Sequence, residues 1–199
     1  MLQTCRFALL LALLNAAPLA LSAQSASPED APSAPEALSL GEEALPEPYI
    51  KAEVGDWQVQ CLRAPGAADS STPAKEPCQL FQILQDSQGT NVAEVTIFPL
   101  AQAGQAVAGA NVLVPLETLL SAQLTIQIDS ATPRRYPYSF CSPIGCFARV
   151  GFTAQDIDAL KKGAVAKVLL RPAPAPDEIV TLDMSLKGFT AGYDSLLAE

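Results

Sequence analysis

The chain has 199 residues, 49% of them hydrophobic, with 12 Lys and Arg against 21 Asp and Glu, a formal net charge of −9 and no His. So acidic a chain is a poor partner for nucleic acid or anionic lipid. Without His, Ser-His-Asp and Cys-His catalysis and His-ligated metal sites are excluded, while carboxylate or Lys chemistry stays open.

The first segment reads as a secretory signal, 1–23. Arg6 supplies the positive start, Phe7 to Leu14 is an apolar run too short to span a bilayer, and Leu21-Ser22-Ala23 offers a small-residue cleavage site before Gln24. Cys5 lies ahead of the apolar run and leaves with it. Removing Arg6 leaves 11 basic and 21 acidic residues, a net charge of −10 for the mature chain. Residues 24–48 hold Pro28, Pro32, Pro35, Pro46 and Pro48 among Ala, Ser and six acids, with no base. Such a segment buries too little apolar surface to offset its ordering entropy, so it reads as a disordered acidic linker or tether. The folded domain is expected over 49–199.

Trp57, Val59 and Cys61 alternate with Gln58 and Gln60, the pattern of a half-buried strand. A polar excursion from Ala64 to Pro77 follows. Cys78 to Asp86 and Val92 to Phe98 read as a hairpin around Asp86-Ser87-Gln88-Gly89-Thr90-Asn91, with Pro99 ending the second strand. Ala101 to Gly109 is small and patternless, Val112 to Pro115 is a short apolar segment, and Leu124 to Asp129 alternates again.

The centre of the domain is Phe140-Cys141-Ser142-Pro143-Ile144-Gly145-Cys146-Phe147. Pro143 suits the second position of a turn, Gly145 tolerates positive φ, and both flanks are rich in aromatic and β-branched residues. This predicts a tight hairpin closed by a disulfide across its neck. The four residues between the cysteines are two too many for a thioredoxin-like motif. With Cys5 removed, four cysteines remain, and an even number in an oxidising compartment points to disulfides. Three pairings are open. The most local, Cys61 with Cys78 and Cys141 with Cys146, is preferred; the chain-entropy model gives it roughly 3 and 2 kcal/mol. A four-cysteine zinc site lacks any Cys-x-x-Cys half.

Thr153-Ala154-Gln155-Asp156 reads as a capped helix start, Lys161 and Lys162 suit its last turn, and Gly163 ends it. Val165 to Arg171 and Ile179 to Leu186 are two more strands, joined by Pro172-Ala173-Pro174-Ala175-Pro176, and the tail closes with at most a short helical turn near Leu196 and Leu197. The expected fold is therefore all-β, a β-sandwich or open barrel of seven or eight short antiparallel strands with one short helix, stapled by disulfides. Arg134-Arg135 beside Tyr136 and Tyr138 is the one basic and aromatic cluster, a candidate anion or partner contact. Asp156 and Asp158 lie two apart and do not face each other on a helix.

Several stretches together resemble the invasion-associated locus B family of bacterial envelope proteins. They are Val54 to Cys61, Cys78-Gln79-Leu80, Val112 to Leu116, Ile128-Asp129, Cys141 to Ala148, Leu160 to Gly163 and Ser185 to Phe189. The resemblance implies an exported protein, periplasmic or attached to the outer membrane, with a sandwich-like domain and no catalytic residues, cofactor or metal. The expected function is a non-enzymatic binding protein that contacts an envelope or host-surface protein, the family taking its name from host-cell invasion. The alternative is a periplasmic protein that binds a small molecule or lipid inside the sandwich. An exposed apolar patch favours the first and a closed apolar cavity the second.

Overall fold

The structure, a computed structural model, describes residues 47–63 and 76–198, with backbone alone at 102 and 103. The expected signal segment, nearly all of the expected linker and most of the polar excursion after Arg63 lie outside the described residues. All described residues belong to one compact unit, Glu43–Glu199.

In chain order the strands are β1 (Glu47–Val54), β2 (Trp57–Arg63), β3 (Cys78–Gln85), β4 (Asn91–Ala103), β5 (Ala106–Val114), β6 (Leu124–Ile128), β7 (Arg134–Tyr136), β8 (Tyr138–Ser142), β9 (Gly145–Thr153), β10 (Val165–Leu170) and β11 (Val180–Ser185). The helices are α1 (Ala154–Lys162) and α2 (Phe189–Leu197). A seven-stranded antiparallel sheet runs β1-β2-β3-β4-β5-β9-β8, and a four-stranded one runs β11-β10-β6-β7. Neither closes into a barrel. No helix of the described residues is long and apolar enough to cross a membrane.

The alternation at Trp57, Val59 and Cys61 is kept, and all three side chains are buried. They join Leu80, Ile97, Val112, Val150 and Phe152 from the same sheet, Leu124, Val168, Leu182 and Met184 from the smaller sheet, and Phe189 and Tyr193 of α2 in one core. Fully burying side chains of this size contributes roughly 1.5–3 kcal/mol each. The chain changes sheets at Pro137: Tyr136 pairs with Leu124 in the smaller sheet, and Tyr138 pairs with Ala148 in the larger.

Both disulfides are local. Cys61 lies opposite Cys78 and Cys141 opposite Cys146, each pair with its Cα atoms 4.0 Å apart. In the second hairpin Ser142 pairs with Gly145, leaving Pro143 and Ile144 as the turn. Gly145 has φ +147, and a Cβ there would lie 2.4 Å from the Val114 carbonyl oxygen.

α1 begins as expected. Thr153 Oγ1 accepts from the Asp156 N–H, and the Asp156 carboxylate accepts from the Thr153 N–H, a reciprocal cap. Gly163 closes the helix with its N–H on the Ala159 carbonyl.

Four expectations are corrected. First, the described residues hold eleven strands rather than seven or eight. One of the additions is β1, which lacks alternation because it is an exposed edge strand carrying Lys51 and Glu53, with an irregularity in its register between Ile50 and Ala52. Second, Pro99 does not end β4. It pairs with Ala108 just before a register shift, where a residue without an N–H is tolerated. Third, the small-residue stretch, Ala101 to Gly109, is the end of β4, a turn and the first part of β5. Ala108 and Ala110 are fully buried there, and a Cβ on Gly109 would lie 2.7 Å from the Phe98 ring, so small residues are what the position admits. Fourth, the described residues hold two α-helices, not one. α2 buries Phe189, Tyr193 and Leu196 at helical spacing, but its N-cap is Gly188 with no side-chain cap, so no start signal marked it.

The two ends of the domain interlock. Gly55 (φ +64) and Gly188 (φ +89) pack backbone to backbone: a Cβ on Gly188 would sit 2.0 Å from the Val54 oxygen, and one on Gly55 would sit 2.4 Å from the Lys187 oxygen. The Asp56 N–H donates to the Lys187 oxygen at 3.0 Å, and Trp57 Nε1 donates to the Ser185 oxygen at 2.8 Å. The Trp57 ring meets Phe189 edge-on, with centroids 5.6 Å apart. Gln82, 7% exposed, bridges the sheets: its amide nitrogen donates to the Asp56 and Ser185 oxygens, and its oxygen accepts from the Ser185 N–H.

Candidate functional site

The core between the sheets has Trp57, Phe152 and Phe189 among its largest fully buried side chains. The candidate binding surface is instead a groove of about 470 Å³ beside the Cys61–Cys78 bridge. Its apolar wall comes from Leu62 on β2, Pro77 ahead of β3, Phe98 to Leu100 on β4, and Leu197 at the end of α2. Leu62 and Leu197 are 40% and 58% exposed, a large apolar exposure at one place. Gln60, Gln79 and Glu76 supply the polar groups. Glu76 is oriented by Tyr49, whose hydroxyl donates to Oε2. This hydrogen bond, with a smaller desolvation effect, raises the Tyr49 pKa above its usual value. Arg63 lies over the Tyr49 ring, 4.7 Å from its centroid. The groove thus pairs apolar surface with a few fixed polar groups, as binding clefts do.

Sequence reasoning missed this groove. Its walls come from β2, the strand portion beyond Phe98 and α2, and two of those three lacked a local signal. The one trace in the sequence is the cluster of Pro77, Pro99 and Leu100 near Cys78, which gains meaning only once the strands are paired.

The Cys141–Cys146 hairpin forms an exposed apolar knob. Ile144 at its turn is 72% exposed, Phe140 stacks on Phe147 at 4.8 Å between centroids, and the Arg149 guanidinium lies 5.3 Å from the Phe140 ring centroid. The knob borders a shallow hollow of about 270 Å³ shared with Ile83 and Pro115.

Arg134 and Arg135 do not act together. Neighbours on a strand point to opposite faces. Arg134 Nη1 lies 2.7 and 2.9 Å from the two oxygens of Asp156, whose side chain is only 10% exposed and also accepts from Thr153. This pair ties β7 to the first turn of α1 and gives Arg134 a carboxylate partner within the chain. Arg135 faces the other way and lines a separate cleft.

One cluster looks chemically suggestive. Ser185 Oγ donates to Asp56 at 2.6 Å and accepts from the Lys187 N–H, and Lys187 Nζ lies 3.9 Å from Asp56. Each contact belongs to the interlock of the chain ends, and the hydroxyl is held by it. Among the described residues no three His, Cys, Asp or Glu side chains converge as a metal site would need.

Comparison with known proteins follows the same lines. Residues 57–197 match the model of the "Invasion associated locus B (IalB) protein" family. Invasion protein B homologs of Brucella abortus, strain 2308 and biovar 1 strain 9-941, are each 32% identical over 143 residues, covering 72% of this chain and 76% of theirs. The crystal structure of invasion associated protein B from Bartonella henselae shares the fold, with a TM-score of 0.60 at 23% identity over 74% of this chain and 94% of that one. With two disulfides and that kinship, the chain has the character of an exported protein. The chain belongs to the invasion associated locus B family.

Proposed function

We propose that this chain is a non-enzymatic binding protein of the cell envelope, periplasmic or held at the outer membrane, that seats an extended apolar segment of another envelope or host-surface protein. The observation that carries this is the open groove of about 470 Å³ walled by Leu62, Pro77, Phe98 and Leu197. The large side chains packed between the sheets, Trp57, Phe152 and Phe189 among them, favour this reading over the alternative, a small-molecule or lipid carrier. The relatives named invasion protein B homologs fit a role in contact with a host, and we extend the proposal to that contact.

A photo-reactive amino acid placed at Leu62 or Leu197 in intact cells tests it. Both positions should give one shared protein adduct, while the same probe at exposed Asp158 on α1 should give none. A lipid-sized adduct from the groove positions, or equal labelling from Asp158, would sink the proposal.

A further inference from the structure

The second arginine of the sequence pair has a different partner from the one its neighbour suggests. Arg135, on the edge strand β7, lines a cleft of about 230 Å³ together with Arg171, which immediately follows β10. Gln123, Thr125 and Ile179 complete the part of the wall that matters here. Arg135 is exposed, and its side chain makes no ion pair or hydrogen bond among the described residues. Arg171 donates from Nη1 to the Pro176 carbonyl at 3.0 Å, and its own carbonyl accepts from the Leu119 N–H at 2.8 Å. Its position is therefore fixed from both ends. Asp177 and Glu178 follow in the same loop, yet neither pairs with either guanidinium. Two cations facing one cleft repel each other. Both guanidiniums line the cleft without a carboxylate partner, so their charge is open to an anion from outside the chain.

A second observation falls at the same place. Gln123 has φ +61 and ψ +157, backbone space that only glycine occupies freely. It ends the 3-10 turn Leu120–Ala122 and lines the cleft with the arginines. Holding a glutamine there strains the backbone. Glycine would relieve the strain but would remove the amide. Backbone strain kept where a donor side chain lines a doubly cationic cleft motivates a binding role.

We propose that this cleft binds a small oxyanion, a phosphate or carboxylate group, with Arg135 and Arg171 supplying charge-assisted donors and Gln123 and Thr125 supplying neutral ones. Ile179, 51% exposed on the rim, provides apolar contact for whatever the anionic group is attached to. The site shares no residue with the groove beside Cys61–Cys78 and stands or falls independently of it.

The test is a titration of the protein with inorganic phosphate, and in parallel with citrate, read on arginine side-chain resonances in nitrogen-15-labelled protein. Saturable shifts of Arg135 and Arg171 by either anion, with Arg149 unmoved, are expected. Arg135→Gln and Arg171→Gln should each weaken binding at least about fivefold. Gln123→Gly should raise the melting temperature while weakening binding, a combination that a purely structural residue would not give. Shifts that never saturate, that Arg149 shares, or that sodium chloride of equal ionic strength reproduces would reduce the site to charge screening and overturn the proposal. A Gln123→Gly variant that binds as tightly as the parent would remove Gln123 from it.

Discussion

Gly188 and Gly55 touch across the joint between the first and last motifs, and both take positive φ. Gly188→Ala adds a methyl 2.0 Å from the Val54 oxygen and strains the backbone as well. It should lower stability by at least about 2 kcal/mol, measured by denaturant unfolding; an unchanged midpoint would mean that the chain ends do not interlock. Gln82→Ala leaves the Ser185 N–H without its acceptor in a buried setting and should cost about 1–3 kcal/mol. Tyr138 behaves in the opposite sense. Its hydroxyl is buried with no hydrogen-bond partner, and burial pushes its pKa from 10.0 up to about 12. The unfolded chain therefore loses this proton before the folded one does. The contribution is complete below pH 10, declines as pH rises, and is gone above about pH 12. Burial raises Tyr136 and Tyr193 in the same direction, so some alkaline sensitivity is shared. Tyr138→Phe should be at least as stable as the parent at neutral pH and should lose less stability between pH 10 and 12. Neutral-pH destabilisation beyond about 1 kcal/mol would reveal a partner for that hydroxyl.

The elements that could be read from the sequence are those whose signal is local. β2 announces itself through Trp57, Val59 and Cys61, the central hairpin through Pro143 and Gly145, and α1 through Thr153, Asp156 and Gly163. The elements that could not be read depend on what packs against them. β5 is poor in large residues because Phe98 lies over Gly109 and because Ala108 and Ala110 are buried without room for more. β1 is an exposed edge with nothing to alternate against. α2 starts at a glycine whose conformation is set by Val54 and Gly55, more than 130 residues earlier in the chain. Thr153→Ala should cost about 1 kcal/mol through loss of the cap. It should also loosen Arg134, because Asp156 loses the hydroxyl that helps to orient it. Cys141→Ser with Cys146→Ser should cost about 2 kcal/mol and leave the hairpin paired, since β8 keeps its ladder with β9. Non-reducing peptide maps should show Cys61 joined to Cys78 and Cys141 to Cys146; a Cys61–Cys141 peptide would contradict the register of both hairpins.

At the scale of the whole molecule, the family and the β class could be read from the order of short motifs, because those motifs are the turns, caps and joints that the topology requires. Of the proposed binding surfaces, only Arg135 was legible, as half of the arginine pair. The groove is assembled from separate elements, and the arginine pair is divided by the alternation of a strand, one member clamping α1 and the other joining Arg171 across the smaller sheet. The two proposed surfaces are separate and lie on one doubly stapled frame. The central claim is that the Cys61–Cys78 groove holds a protein partner. It is tested most directly by the affinity of the crosslinked partner, once captured, for three forms of the purified protein matched for folding by circular dichroism. Against the parent, Leu62→Glu with Leu197→Glu should weaken binding at least about tenfold, since charge is placed in apolar contact, whereas Cys141→Ser with Cys146→Ser should bind within about twofold in its folded fraction. Parental affinity in the Leu62 and Leu197 variant would contradict the account.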